Sequence, residues 1–211
     1  MNTANWNILP DAVSKDDPAG MGVVEGGELP YHAWAVQKRQ ENYKNRLTVD
    51  TDARCFLPGV PRVIYEPFPF QISQTPAVVT MFFEYEHAVR NVYMNTPHRP
   101  GPIEWWMGDS RLTWDGDTLV VDVVTAWLDL SGSFTSNEAT VVERVTPIDA
   151  NTIDWTATIT DPNVFTRPWT TRWRFVGDPE NREMWEQACV EGNKFGLWAD
   201  IREREIGRKA R

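Results

Sequence analysis

The sequence predicts an all-β chain, an antiparallel up-and-down barrel of about eight strands preceded by an N-terminal arm and helix. Three observations carry this. Residues 110–126, SRLTWDGDTLVVDVVTA, read as two strands folded back at Asp115-Gly116, because an Asp-Gly pair supplies the positive φ that a tight hairpin demands. In 152–161, Ile153, Trp155, Ala157 and Ile159 alternate without a break with Asp154, Thr156, Thr158 and Thr160, the pattern of a strand with one dry and one wet face. Strand-like runs follow one another from 70 to 176 with no helix of crossover length between them, and parallel neighbours would need such helices.

In chain order, residues 1–30 are rich in Gly, Pro and Asp without a sustained period and read as an arm wrapped over the body. Residues 30–47, PYHAWAVQKRQENYKNRL, form the one strong helical pattern before the sheet, with Pro30 near its first turn and Ala33, Val36, Tyr43 and Leu47 on the side expected to pack. The proline-rich run 55–69 is expected to be extended loop, since Pro fixes φ and cannot donate to a ladder. Strands are expected at 70–74, 77–85 and 88–94, then the central hairpin, then 139–147, 152–161 and 168–176. In the hairpin, Asp122 shares a face with Val120 and Val124, an acid among apolar neighbours. Closed on itself, a sheet of about eight strands makes a lipocalin-like barrel wide enough for one small ligand; a β-sandwich is the competing packing. Two long connections, 95–109 and 127–138, hold aromatics, Gly and polar groups and are candidates for a mouth or lid. The tail is expected to form a short helix around 183–190 and a charged end that reaches another subunit. The division is therefore 1–50 arm and helix, 51–178 barrel, and 179–211 tail, within one domain.

The formal net charge of -9 argues against a nucleic-acid groove or an anionic membrane surface, both of which need clustered Lys and Arg. No run of 18 apolar residues occurs, and the start, MNTANWNILPDAV, lacks the basic and apolar regions of a secretory signal. As written the chain is expected to be soluble and cytoplasmic, or periplasmic if a leader has been removed. Cys55 and Cys189 have no CxxC spacing and read as two separate thiols, with one long-range disulfide as the alternative. Eleven Trp residues suit either a bulky β core or a pocket for a flat apolar ligand.

Several stretches resemble a large bacterial family whose members are mostly uncharacterised. They are Cys55 to Arg62 as CFLPGVPR, Pro69-Phe70-Gln71-Ile72, Trp105 to Ser110 as WWMGDS, Trp114 to Val121 as WDGDTLVV, Glu143-Arg144, and Asp161-Pro162 followed by Arg167-Pro168-Trp169. The family usually shows WEGDTLVV where this chain has WDGDTLVV, and the motifs span roughly residues 20–195. The resemblance implies a link to the breakdown of lignin-derived aromatic dimers, including lyases that release formaldehyde from a phenylcoumaran.

No GxGxxG, GxxxxGK[ST] or GxSxG occurs, and the three histidines, His32, His87 and His98, show no HxH or HExxH spacing, so neither a cofactor nor a metal is expected. The remaining chemistry lies in charges on or beside strands. Glu84, Tyr85, Glu86 and His87 end one apolar strand and Arg90 opens the next, so a carboxylate, an imidazole and a guanidinium are expected to meet across one hairpin. There Glu84 or His87 would act as general base and Arg90 would hold an anionic oxygen, the alternative being a Glu84–Arg90 ion pair at the rim. Asp109 joins them as a candidate catalytic group, with Arg111 two residues on. Glu143-Arg144 have opposite facings, so one points inward, and Asp117 reads as a turn cap. Trp105, Trp106 and Trp127, on loops, are candidate stacking residues, with His98, Arg111 and Tyr85 completing the expected substrate-binding set; Trp155 and Trp173 are expected in the core. The expected function is a cofactor-independent lyase or isomerase acting on a small aromatic or apolar molecule by proton transfer in the barrel, with a non-catalytic binder of the same ligand as the rival. Expected partners are the substrate and, through the arms, a second copy of the chain.

Overall fold

Period-two burial is the organising fact of the fold. The computed structural model describes residues 2–7, 23–24, 28–66, 68–101, 103–125, 127–128, 132–177, 183–185 and 189. Eight strands lie where alternation places them: β3 (Phe70–Gln74), β4 (Val78–Phe83), β5 (Val89–Met94), β6 (Asp109–Asp115), β7 (Thr118–Val124), β8 (Thr140–Asp149), β9 (Thr152–Thr160) and β10 (Trp169–Gly177). They are neighbours in chain order. In β9 every second residue from Ile153 to Ile159 is buried, and in β10 Trp169, Thr171, Trp173 and Phe175 face the same interior. The sandwich alternative is not what forms.

The N-terminal arm closes the sheet. β1 (Asn2–Asn7) runs antiparallel to both edges, with Trp6 opposite Phe70 of β3 and Gly177 of β10, while β2 (Val23–Val24) pairs with β10. Closure removes the exposed edges that an open sheet would offer to other chains. The meander has one exception: β5 and β6 are parallel, Val92 opposite Ser110, so the connection between them must cross the barrel wall. That crossing covers β6 from outside, and Ser110, Arg111 and Leu112 are all buried although they alternate in facing.

The core holds Phe70, Met81, Val92, Leu112, Val121, Val141, Trp155, Ile159 and Phe175, each nearly inaccessible. Phe70 stands edge-on to Trp155 and Phe175 at 6.3 and 5.2 Å between centroids, an arrangement that lets ring edges meet ring faces. Each such fully buried side chain contributes about 1.5–3 kcal/mol.

The segment before β3 departs from expectation. The helix forms as α1 (Ala33–Lys44) and a short α2 (Arg46–Val49), but Val36, Tyr43 and Leu47 are exposed and Ala35 and Asn42 are buried. Small and amide side chains face the body because the backbone of the 127–138 connection comes close: Asn42 Nδ2 donates to the carbonyl of Gly132 at 3.4 Å. The run 55–69 is not all extended either. A 3-10 turn at Asp52–Arg54 precedes it and α3 (Arg62–Tyr65) lies inside it, with Pro61 at the N-cap, where a helix does not need the missing N–H. Of the tail helix expected at 183–190, residues 186–188 and 190 lie outside the described residues, and 183–185 and 189 are not helical. Cys55 and Cys189 are disulfide-bonded, with Cα atoms 5.1 Å apart, so the two-thiol reading gives way to its alternative. None of the described helices is long and apolar enough to cross a membrane.

Candidate functional site

Charges inside an apolar barrel are expensive unless paired, so the buried ones mark where the sequence spends stability on something else. The first group crosses the barrel. Arg90 on β5 donates from Nη1 and Nη2 to Glu143 on β8 at 3.2 and 2.5 Å and from Nε to Ser110 Oγ on β6 at 3.1 Å. Both charged side chains are essentially inaccessible. The inward member of Glu143-Arg144 is therefore Glu143, and Arg144 points outward to Asp115 at 2.6 Å.

The second group sits at α3, where Arg62 also reaches the Leu128 carbonyl. Arg62 of α3 is buried and surrounded by acids: Nη1 donates to both oxygens of Asp50 at 3.0 Å, Nε donates to Glu66 Oε1 at 2.7 Å, and Nη2 donates to Asp52 Oδ2. Nη1 also reaches the Leu128 carbonyl at 2.8 Å, and Asp50 Oδ1 accepts the Asp52 backbone N–H at 2.9 Å. Local structure explains the convergence. Arg62 and Glu66 are four apart and share a helical side, and the 3-10 turn folds Asp50 and Asp52 towards the same point.

One guanidinium cannot neutralise three carboxylates. Burial is the main force on Asp52 and pushes its carboxyl up to about 8; Arg62 pulls the other way, and Glu66 and Asp50 add to the rise. Burial likewise raises Glu66, against Arg62. Tyr85, at the end of the β4 run, is buried and close enough to Asp52 for burial and that charge together to hold its hydroxyl protonated. The Tyr85 hydroxyl and the Asp52 carboxyl interact directly with each other. A carboxyl that keeps its proton to neutrality, beside a phenol, can both give and take a proton.

The candidates named from the sequence separate into four places. Glu84 and His87 do come together, lining a cleft of about 330 Å³ at the β4–β5 turn with Phe82, Val89, Met184 and Trp185. Glu84 Oε2 there accepts the Trp185 backbone N–H at 2.8 Å, and His87 sits at φ 51°. Arg90 is not with them; it is turned into the barrel towards Glu143, so neither the three-group site nor the Glu84–Arg90 rim pair forms. Asp109, Arg111 and His98 meet on the outer wall under the crossing segment. His98 places Nδ1 2.9 Å from Asp109 and Nε2 3.1 Å from Asp122, which accounts for the acid on that apolar face. Arg111 donates to Asp109 at 2.6 and 3.2 Å and packs over Tyr93. Burial would raise Asp109, but the Arg99 backbone N–H, His98 and Arg111 hold it below the usual carboxylate range.

Trp105 and Trp106 are about half exposed on that crossing segment, Trp105 near Arg99 and Trp106 against Phe56. Trp127 is buried, its backbone N–H donating to Thr135 Oγ1 at 3.0 Å, and Tyr85 lies against Asp52 of the Arg62 group. Of the two long connections, 127–138 reaches α3 through the Leu128 carbonyl, which accepts from Arg62. Sequence reasoning passed over Asp50, Asp52 and Glu66. Their signals are the Asp50-Thr51-Asp52 run, which lies between the expected helix and loop, and the i,i+4 pair Arg62 and Glu66, hidden by the reading of 55–69 as extended loop.

Among the described residues, no three His, Cys, Asp or Glu side chains are grouped so as to hold a metal ion; the acids of the Arg62 group point at its guanidinium. Comparison with protein families, with curated proteins and with solved structures finds no match to this chain.

Proposed function

We propose that this protein is an enzyme that moves a proton on a small aromatic molecule held in the barrel, a lyase or isomerase, with Asp52 as the acid/base group. The observation that carries the reading is the excess of buried carboxylates around Arg62, with the Tyr85 hydroxyl set against the Asp52 carboxyl. Strongly perturbed acids of this kind, shifted by burial and by named charges, cluster at catalytic sites. In the reaction, ionised Asp52 takes a proton from a hydroxyl or activated C–H of the substrate, and Tyr85 donates to the oxygen on which negative charge develops. Protonated Asp52 then returns its proton to the product or the leaving group. Asp50 and the Leu128 carbonyl hold Arg62 in place, and Arg62 in turn fixes Asp52.

The motif resemblance suggests lignin-type aromatic dimers as the first substrates to try. The Cys55–Cys189 bond suits an oxidising compartment better than a cytoplasm kept reduced by thiols. The test is incubation with a panel of such dimers, following loss of water or formaldehyde by mass spectrometry. Asp52→Asn and Tyr85→Phe are expected to lower turnover by roughly 10²- to 10⁴-fold with binding retained. Turnover unchanged in Asp52→Asn would overturn the assignment. Binding of panel compounds without product in the unaltered protein would leave the non-catalytic carrier as the function.

A further inference from the structure

We propose that the cleft between the β4–β5 turn and the tail is a second binding site, built for a small organic ammonium, a positive charge carried on a flat apolar body. It is separate from the Arg62 group. Glu84 and Tyr85 follow β4 in succession, and Tyr85 turns in to Asp52 while Glu84 lines the cleft. The cleft holds about 330 Å³, at the small end of the range for ligand sites.

Its walls are apolar. Phe82 and Val89, cross-strand partners, form one side, and Met184 and Trp185 of the tail form the other. Trp185 is 80% exposed, more than any other large apolar side chain among the described residues. An indole face is electron-rich and is the best of the aromatic surfaces for a cation. The charge beside it has the matching sign. Glu84 is half-buried in the same lining, and among the described residues no lysine or arginine pairs with it. Its Oε2 accepts the Trp185 backbone N–H at 2.8 Å, so one bond fixes both the carboxylate and the stretch of tail that carries the ring.

His87, the other ionisable group of the lining, is matched elsewhere. Burial raises the neighbouring Glu86 carboxyl, while the Cys189 backbone N–H and the charge of His87 lower it, so His87 is set against Glu86 and the charge left to the cleft is that of Glu84. The turn between them is strained to make this arrangement. The Ala88 N–H donates to the Tyr85 carbonyl at 3.0 Å, and between them Glu86 and His87 both take φ 51°, where Gly or Asn would fit more easily. Strain of this kind persists where the surrounding structure imposes it, commonly at ligand sites. A formal charge of -9 over the whole chain also draws cations and repels anions.

The experiment is an amide chemical-shift titration of the full-length protein with benzylammonium, benzyl alcohol, benzoate and Nα-acetyl-lysine methylamide. Benzylammonium is expected to bind at least roughly tenfold more tightly than the alcohol or the benzoate, with shifts concentrated in residues 82–89 and Trp185. Glu84→Gln keeps an acceptor for the Trp185 N–H and removes the charge, so it should bring benzylammonium down to the level of the alcohol and leave the alcohol unchanged. Trp185→Leu is the second variant and should weaken benzylammonium as well, and melting curves establish that each one folds. Equal affinity for the ammonium and the alcohol, no binding, shifts centred elsewhere, or a preference untouched by both variants would each overturn the inference. Tighter binding of the lysine probe than of benzylammonium would overturn it in favour of a partner's lysine side chain. The outcome is independent of turnover, so the acid/base reading of Asp52 stands or falls by its own test.

Discussion

Asp52 shows how one side chain can set a pH dependence for the whole chain. Burial pushes its carboxyl up to about 8 in the folded state, against an ordinary value of 3.8 for the free side chain. Between those values the unfolded chain binds fewer protons than the native one, so unfolding free energy falls as pH rises. The stabilisation is complete below about pH 4 and is lost as pH passes through the folded value. Urea unfolding at a series of pH values should show stability declining by up to about 1.4 kcal/mol per pH unit across that window. In Asp52→Asn the slope should become shallower, although Glu66 is raised in the same direction and will keep part of it. A slope identical in the variant would mean the proton is held elsewhere. The residue scale also shows why Arg90 was misjudged from the sequence. Its position at the start of β5 is consistent with a rim group, but β5 faces it inward, and only the fold brings Glu143, 53 residues away, within reach.

At the scale of elements, the strands and the helix expected at 30–47 are legible in the sequence, and the packing face of that helix and the helical turn α3 are not. Alternation in 152–160 and the Asp-Gly turn locate β6 to β9 almost to the residue, because a two-residue period with a buried face leaves one register. α1 was found, but its packing face was read from hydrophobicity, whereas the neighbouring chain at Gly132 decides it. Gly132 has φ 80°, and a Cβ there would meet the backbone of Arg39 and Tyr43. Gly116 has φ 60° with open space around it. Replacement of Gly116 by Ala should therefore cost only about 1–2 kcal/mol of left-handed strain. Gly132→Ala should cost more by unseating α1 from the 127–138 connection, with a matching rise in amide exchange along Ala33–Lys44. Equal costs in urea unfolding would show that α1 does not depend on that approach.

On the scale of the whole molecule, two connections join the ends of the chain to its middle. β1 seals β3 to β10, and the Cys55–Cys189 bond spans 134 residues, fastening the tail next to the turn that carries Asp52. Glu86 Oε2 accepts the Cys189 backbone N–H at 3.2 Å and Glu84 accepts that of Trp185, so the described part of the tail is held against the β4–β5 turn at two points and to Cys55 at a third. A bond closing so long a loop acts chiefly on the unfolded chain, and its loss typically costs 2–5 kcal/mol. Thermal melts of the Cys55→Ser/Cys189→Ser protein should shift down by several degrees, with reductant lowering the unaltered protein to the same point and leaving the variant alone. Reductant that moves both equally would point to a cause other than this bond.

The sequence by itself determined the eight strands β3 to β10, their succession and their antiparallel joins save the one between β5 and β6, because burial with period two and turn chemistry are local and act over a few residues. The tertiary structure alone decided the rest: the parallel β5–β6 pair, closure by the arm, the disulfide, and the gathering of Asp50, Asp52, Arg62, Glu66 and Tyr85 at one point. Charge pairing and desolvation depend on distance in space, and residues 50 and 85 acquire a distance only once the barrel has closed.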